Sequence, residues 1–300
     1  GMSMNHRLAA LAAGGAVLLG VGAGIGAAGT AGHGASVHRQ RPAASHAAAS
    51  AAQARAVVLA MLQGSHAPGL RAHRRVTRGP DGVTNVSYFN WSGYADTGSA
   101  GAFTKVSGSW TVSKLGACTG EHTTDSEWIG FDGFSNGTVE QDGSIGLCFE
   151  GKASYFDWYE MFPTQSSVMI EHAVSPGDKM SATVTRSGTK YTMVVTDATH
   201  AKDSFTATAA CSASTCVNDS VEWINERDVF GSNGYSPLSD YGTWKLTGGA
   251  ATKSGKSGSI SSLGNVNNIT MIDATGSYNL GAASALSGGS SFTTTWKDSW

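Results

Sequence analysis

The chain has 300 residues, 40% hydrophobic and only 14% charged, with 40 Gly and 9% aromatics, enough apolar material for one large core. Eight Trp and the lack of a G-X-Y period exclude a disordered or collagen-like chain. The net charge of −2 conceals a split: residues 1–80 carry eight Arg and no acidic residue, while residues 81–300 carry 22 Asp/Glu against 12 Lys/Arg. A phosphate-binding face needs a basic surplus, so nucleic acid is excluded as a partner of the acidic main part. The split favours instead a cationic segment lying on an anionic domain.

In chain order, His6 and Arg7 precede an uncharged stretch, Leu8 to Gly29, rich in Ala, Leu, Gly and Val and followed by small residues up to Ala35. Residues 1–35 are therefore expected to be a secretory signal peptide, with Gly1 and Met2 as extra residues before a start at Met4. The stretch is long enough to span a membrane. Its Gly and Ala content and the Arg39 and Arg41 beyond it favour export, an extracellular mature protein and no lasting membrane association.

Residues 36–84 are basic and Ala-rich, and strong helix formers between Ser45 and Gly64 predict one helix there. The charge opposite to that of the domain favours a propeptide over a linker, with Arg71, Arg74, Arg75 and Arg78 as a processing region.

Residues 85–300 change character. Short runs with period-two alternation recur near every ten residues, broken by Gly, Asp, Asn or Ser. They are Lys105–Val112, Trp128–Phe131, Ser144–Phe149, Tyr155–Phe162, Met180–Arg186, Tyr191–Asp197, Ser204–Ala209, Glu222–Asn225, Trp244–Leu246, Ile269–Asp273 and Phe292–Trp296. No helical stretch separates them, so the fold class is all-β, with two antiparallel sheets stacked as a β-sandwich. Turns are expected at "PGD" (Pro176–Asp178), "RSGTK" (Arg186–Lys190) and "DGS" (Asp142–Ser144). Four Cys, at 118, 148, 211 and 216, suggest two disulfides in an exported protein. Three pairings are possible on paper; Cys211 and Cys216 bracket four small residues and could close a tight loop, leaving Cys118 with Cys148. Without a CxxC pair, zinc is disfavoured, and no metal or other cofactor is expected.

HExxH, GxSxG and Walker motifs are absent. A Ser-His-Asp arrangement would have to use His122, His172 or His200, each more simply a surface or strand histidine. "DTG" at Asp96–Gly98 matches the loop of two-lobed aspartic proteases, but no second copy is present, so the match is treated as chance. What remains are carboxylates beside aromatics on expected strands: Glu127–Gly133 ("EWIGFDG"), Tyr155–Pro163 ("YFDWYEMFP") and Val221–Glu226 ("VEWINE"). Aromatic walls raise a carboxyl pKa and offer flat surfaces to a peptide or a sugar ring. The simpler reading makes the aromatics core and the acids their outward alternates.

The ordered series "NWSGYA" (Asn90–Ala95), "VSGSWTV" (Val106–Val112), "WIGFDG" (Trp128–Gly133), "VEQDG" containing Gln141, "YFDWYEMFP", "PGD", "VEWINE", "YGTW" (Tyr241–Trp244) and "SSFTTTW" (Ser290–Trp296) resembles the glutamic peptidases, the eqolisin family. The resemblance implies a secreted acid endopeptidase on a concanavalin A-like, lectin-like sandwich, acting on proteins or peptides, with Gln141 and Glu222 as catalytic dyad. It places Trp128, Asp132 and Glu160 in the cleft, with Tyr155 and Asp157 of the aromatic motif as further substrate-binding candidates. The chain departs from the family pattern at Asp142–Gly143 after Gln141, in a longer following loop, and at Met161. On this reading Glu222 takes a proton from water, Gln141 stabilises the oxyanion, the basic propeptide is a partner in cis, and the mature protein is a monomer. The alternative is an inactive or glycan-binding lectin-like module.

Overall fold

The computed structural model describes Ala56 and residues 68–300, apart from 121, 166–167, 212–215 and 230–233. The described residues belong to one compact unit, Ala44–Trp300. The expected signal segment lies outside them, as does the expected helix, within which only Ala56 is described and is helical.

Alternation of apolar and polar residues makes strands that bury one face, and the two faces must find partners. The first sheet has the spatial order β1 (Thr77–Arg78), β2 (Thr84–Tyr88), β15 (Val266–Ile272), β3 (Trp91–Thr97), β12 (Ser220–Glu226), β5 (Thr123–Phe131), β6 (Val139–Phe149), β7 (Lys152–Phe162), β8 (Met169–Ala173). The second runs β11 (Phe205–Ala210), β10 (Lys190–Asp197), β9 (Lys179–Ser187), β4 (Phe103–Thr111), β13 (Thr243–Lys253), β14 (Lys256–Ser259). Every pairing is antiparallel except β2 with β15. Two further strands, β16 (Asn279–Ala283) and β17 (Phe292–Trp296), link β15 to the first half of β13, whose second half pairs with β4. The expected two-sheet sandwich is therefore present, with β13 passing from one sheet to the other.

The core between the sheets draws alternate residues from both: Val106 and Trp110, Ile129 and Phe131, Val184, Met193 and Val195, Val221 and Trp223, Leu246. The first sheet has a second apolar cluster on its other face, including Tyr88, Trp91, Trp128, Ile145, Trp158, Ile224 and Ile269, with Phe134 folded back onto it. Strand β12 is buried at all seven positions, and β3 at six of seven. A strand buried on both faces shows no alternation, which is why β3 escapes the period-two search.

Two expected turns are found. "RSGTK" closes the β9–β10 hairpin, with Ser187 opposite Lys190 and Gly188 at φ +61°. "PGD" turns with Asp178 N–H donating to Ser175 O at 3.0 Å and Gly177 at φ +95°. "DGS" is not a turn, because Asp142–Ser144 lies inside β6. Gly143 answers to close packing: a Cβ there would lie 2.3 Å from Glu127 O and 2.6 Å from Trp128 Cβ. The disulfides are Cys118–Cys148 and Cys211–Cys216. Asp96 of "DTG" is a buried structural carboxylate, accepting from Lys253 Nζ at 2.6 Å and Asn265 N–H at 2.8 Å. Among the described residues, no helix is long and apolar enough to cross a membrane.

Candidate active site

The register of the first sheet assembles the candidate residues. Gly130 on β5 sits opposite Glu222 on one side and Gln141 on the other, and Gln141 sits opposite Glu160 on β7. Directly opposed residues in antiparallel strands project from the same face, so Glu222, Gln141 and Glu160 form one transverse row. Two inter-strand steps put the Glu222 and Gln141 backbones about 9–10 Å apart, wide enough for a water and a peptide group between the side chains. The spacer must be glycine: a Cβ at Gly130 would fall 2.6 Å from Gln141 Cβ and 2.9 Å from Glu140 O. Gly130→Ala should therefore push β5 from β6 and lower kcat by about 10²-fold through misplacement of Gln141, while the protein still purifies soluble. Steady-state kinetics on the purified variant measure this, and an unchanged kcat would mean that the row is not the reacting site.

The members of the row differ in how they are held. Gln141 Nε2 donates to Glu160 Oε2 at 2.7 Å, which uses one of the two amide N–H bonds and leaves the other to donate. Glu222 is fully buried, and among the described residues its carboxyl has no hydrogen-bond partner. Burial pushes its pKa well above the ordinary range; the nearby Ser220 hydroxyl offsets a part, and Asp132, Asp219 and Asp96 push it further up. Trp128, on the same face one step along from Gly130, donates its indole N–H to Glu226 Oε2 at 2.8 Å and meets the edge of Trp91 at a centroid distance of 5.0 Å.

Asp132 stands just beyond β5 at φ +68°, a strained conformation for a residue with a side chain. Its carboxylate accepts from Asn218 N–H at 2.8 Å, Asp219 N–H at 3.0 Å, Asn136 Nδ2 at 3.0 Å and Thr138 Oγ1 at 3.4 Å. These bonds tie the loop after "WIGFDG" to the residues leading into Glu222. Asp132 is fully buried, and both of its carboxylate oxygens accept from these protein donors.

Tyr155 and Asp157 are not brought to this face. Strand parity sends Phe156, Trp158 and Glu160 to the face of Glu222 and Gln141 and Tyr155, Asp157 and Tyr159 to the other. The Tyr155 hydroxyl accepts from Leu115 N–H at 3.1 Å, and Asp157 is buried against His172, whose backbone N–H donates to it at 2.5 Å. Burial raises the Asp157 pKa to about 6 in spite of His172. Among the site residues that sequence reasoning passed over, Gly130 carried a visible signal, a glycine flanked by Trp128 and Phe131 in a strand.

A model of the Peptidase A4 family matches residues 89–296. Aspergillopepsin-2 of Aspergillus niger is 26% identical over 197 residues, 58% of this chain and 68% of that protein. The fold is similar to that of scytalido-glutamic peptidase crystallised with a transition state analog inhibitor, at TM-score 0.58 and 22% identity over 69% of this chain and 98% of the other. It is also similar to aspergilloglutamic peptidase from Aspergillus niger, at TM-score 0.50 and 25% identity over 58% and 99%. These relatives are all peptidases, none a lectin, and the matched region contains the Gly130 row from Glu222 to Glu160: the chain belongs to the peptidase A4 family, the glutamic peptidases, and is a hydrolase of peptide bonds.

Proposed function

We propose that this peptidase is exported and cleaves proteins or peptides in acid with Glu222 and Gln141 as its reacting pair. The observation that carries the reading is the row in which Gly130 alone separates the two side chains on one face. Glu222 accepts a proton from water as its oxygen attacks the scissile carbonyl. The remaining Gln141 N–H donates to the oxyanion, and Glu222 returns the proton to the leaving nitrogen as the C–N bond breaks. Glu160 fixes the amide so that its N–H already points where charge develops. Asp132 keeps the approach to Glu222 rigid.

Residues 36–84 act on this reading as a latency segment. Pro68–Ala72 lies on the dyad face, with Gly69 N–H donating to Gly133 O at 2.9 Å and the segment pairing with β2 through an Arg71–Tyr88 bridge. While the face stays covered, burial keeps Glu222 protonated and unable to accept the proton of water. Uncovering it lets solvent bring the carboxyl back down toward the ordinary carboxylate range, so activity requires both release and moderate acid. The segment's Arg residues and the acidic domain attract at neutral pH, and acid weakens that attraction as carboxylates protonate.

Digestion of a denatured protein by the full chain, with and without prior acid incubation and across pH, tests both statements. Cleavage is expected in moderate acid, about pH 3 to 5, after a lag that acid incubation removes. Immediate cleavage at neutral pH would exclude latency, and none in acid by folded, processed protein would exclude the dyad chemistry.

A further inference from the structure

The way Pro68–Ala72 is held carries information about the substrate, on the reading that the dyad face receives peptide. Its bonds are almost entirely those of its own main chain. Gly69 N–H donates to Gly133 O at 2.9 Å, Leu70 N–H to Asn90 Oδ1 at 2.8 Å, Phe89 N–H to Leu70 O at 2.8 Å and Ala72 N–H to Ser87 O at 2.9 Å. Asn90 Nδ2 also reaches Pro68 O, at 3.4 Å. Its carboxamide thus meets both a donor and an acceptor of the extended segment, two residues apart. Any extended peptide offers the same groups, so this strip recognises backbone and not sequence.

One position is different. A Cβ on Gly69 would lie 2.6 Å from Tyr88 Cε1 and 2.7 Å and 2.8 Å from Cε3 and Cζ3 of Trp91. The rings cannot move aside cheaply. Both are fully buried and stacked at 11° with centroids 5.8 Å apart; Trp91 abuts Trp128, and the Tyr88 hydroxyl donates to Phe134 O at 2.8 Å. Asn90 is equally fixed, donating to Glu226 Oε1 at 3.0 Å. Glu226 also holds Trp128, so one buried carboxyl sets the floor and the clamp together. The strip adjoins the Gly130 row: Trp91 packs on Trp128, one step along β5 from Gly130, and Gly133, whose carbonyl accepts from Gly69, lies three residues beyond Gly130. A Cβ at Gly133 would fall 2.8 Å from the Trp91 ring.

We propose that Gly133 O, the Asn90 carboxamide and Phe89 N–H, over a floor of Tyr88 and Trp91, form a substrate subsite for extended peptide that admits only glycine at one position. Pro68–Leu70 occupies it in the unprocessed chain as a stand-in for substrate. The inference rests on the peptidase reading but goes beyond it, because it assigns a side-chain preference and the residues that impose it.

The test uses the full chain after acid incubation and a synthetic peptide spanning residues 67–74, with a second peptide carrying Gly69→Val. The parent peptide is expected to inhibit cleavage competitively and the variant at least about tenfold less well, the effect of forcing extra methyl groups against a packed surface. In the full chain, Gly69→Val alters only the segment; it should shorten the lag in acid and speed trypsin cleavage after Arg71, Arg74 and Arg75 at neutral pH. Equal inhibition by both peptides, no inhibition by either, or an unchanged lag and trypsin rate would overturn the subsite. Titrating both peptides by tryptophan fluorescence separates this outcome from failure of the dyad. If Glu222→Gln cleaves like the wild type while the peptides still bind with the expected difference, the dyad is wrong and the subsite stands.

Discussion

Glu222→Gln is expected to lower kcat on a denatured protein substrate by about three orders of magnitude, the middle of the range for removing a general base. Gln141→Ala should lower it by about 10²–10³-fold, as loss of one oxyanion donor does. The two act on one intermediate, so the double variant should be little worse than Glu222→Gln alone. The stability of these variants distinguishes chemistry from damage. Glu222 is buried without a partner among the described residues, so an amide of the same shape removes a buried ionisable group and adds none. The melting temperature of Glu222→Gln should equal or exceed that of the wild type above about pH 6, because ionisation no longer has to be suppressed. Gln141→Ala instead leaves Glu160 without the amide it accepts from at 2.7 Å, and a modest loss of stability is expected. Kinetics and thermal unfolding on the same preparations decide the matter: wild-type cleavage by either folded variant would move the reacting site away from Gly130.

How much of this was legible before the structure follows from what strands reveal and hide. Strands with one wet face, such as β9 and β10, announce themselves by alternation, and their boundaries come within a residue or two of expectation. β3 and β12 are buried on both faces; the alternation search finds Glu222–Asn225 of β12 but names nothing of β3, and only the motif resemblance singled out Glu222 among the aromatic-flanked acids. "DGS" misled because glycine has two uses, and at Gly143 the use is close approach to Trp128. Tyr155 and Asp157 were grouped with Glu160 by proximity in sequence. Once Glu160 faces Gln141, the period of two sends those neighbours to the opposite face. The simpler reading, acids as solvent-facing alternates of core aromatics, fails because both faces of the first sheet are covered: Glu127 points into the inter-sheet core, and Glu160, Glu222 and Glu226 lie on the other face, which carries its own apolar cluster. Glu127, Asp132, Glu160, Glu222 and Glu226 are all buried.

That burial makes acid the condition of the fold as well as of the chemistry. In the inter-sheet core Asp125 accepts from Asn225 Nδ2 at 2.5 Å, and Glu127 accepts from Ser113 N–H at 3.2 Å and the Ser144 hydroxyl at 3.3 Å. Asp228 accepts from Ser126 Oγ at 3.1 Å. Burial raises Glu127 to about 8 and Asp228 to about 7, and holds Asp125 well above its ordinary value with the Glu127 charge adding to it. Burial does the same to Asp142 and Glu140. A group raised in the folded state keeps its proton where the unfolded chain has already released it. Its contribution to stability is therefore complete below the unfolded pKa, about 4, and falls by ~1.4 kcal/mol per pH unit until the folded pKa is passed. For Asp228 that window closes near 7 and for Glu127 near 8. Asp273, lowered to about 2 by bonds from Thr275 and Tyr278, has the opposite sign but acts below this window. Because the carboxyls are coupled, the total is on the order of several kcal/mol, and for a domain of this size the melting temperature should fall by on the order of 10 °C or more between about pH 4 and pH 8. Glu127→Gln, keeping the shape and removing the titration, should flatten that slope while leaving the acid-side melting temperature within a few degrees, about the effect of a neutral isostere. Thermal unfolding by circular dichroism at half-unit pH intervals measures both. A wild-type melting temperature that held steady or rose through this window would mean that these carboxyls are not buried as neutral acids, and Glu222, raised by the same desolvation, would lose the argument that ties its proton to the covering of the face.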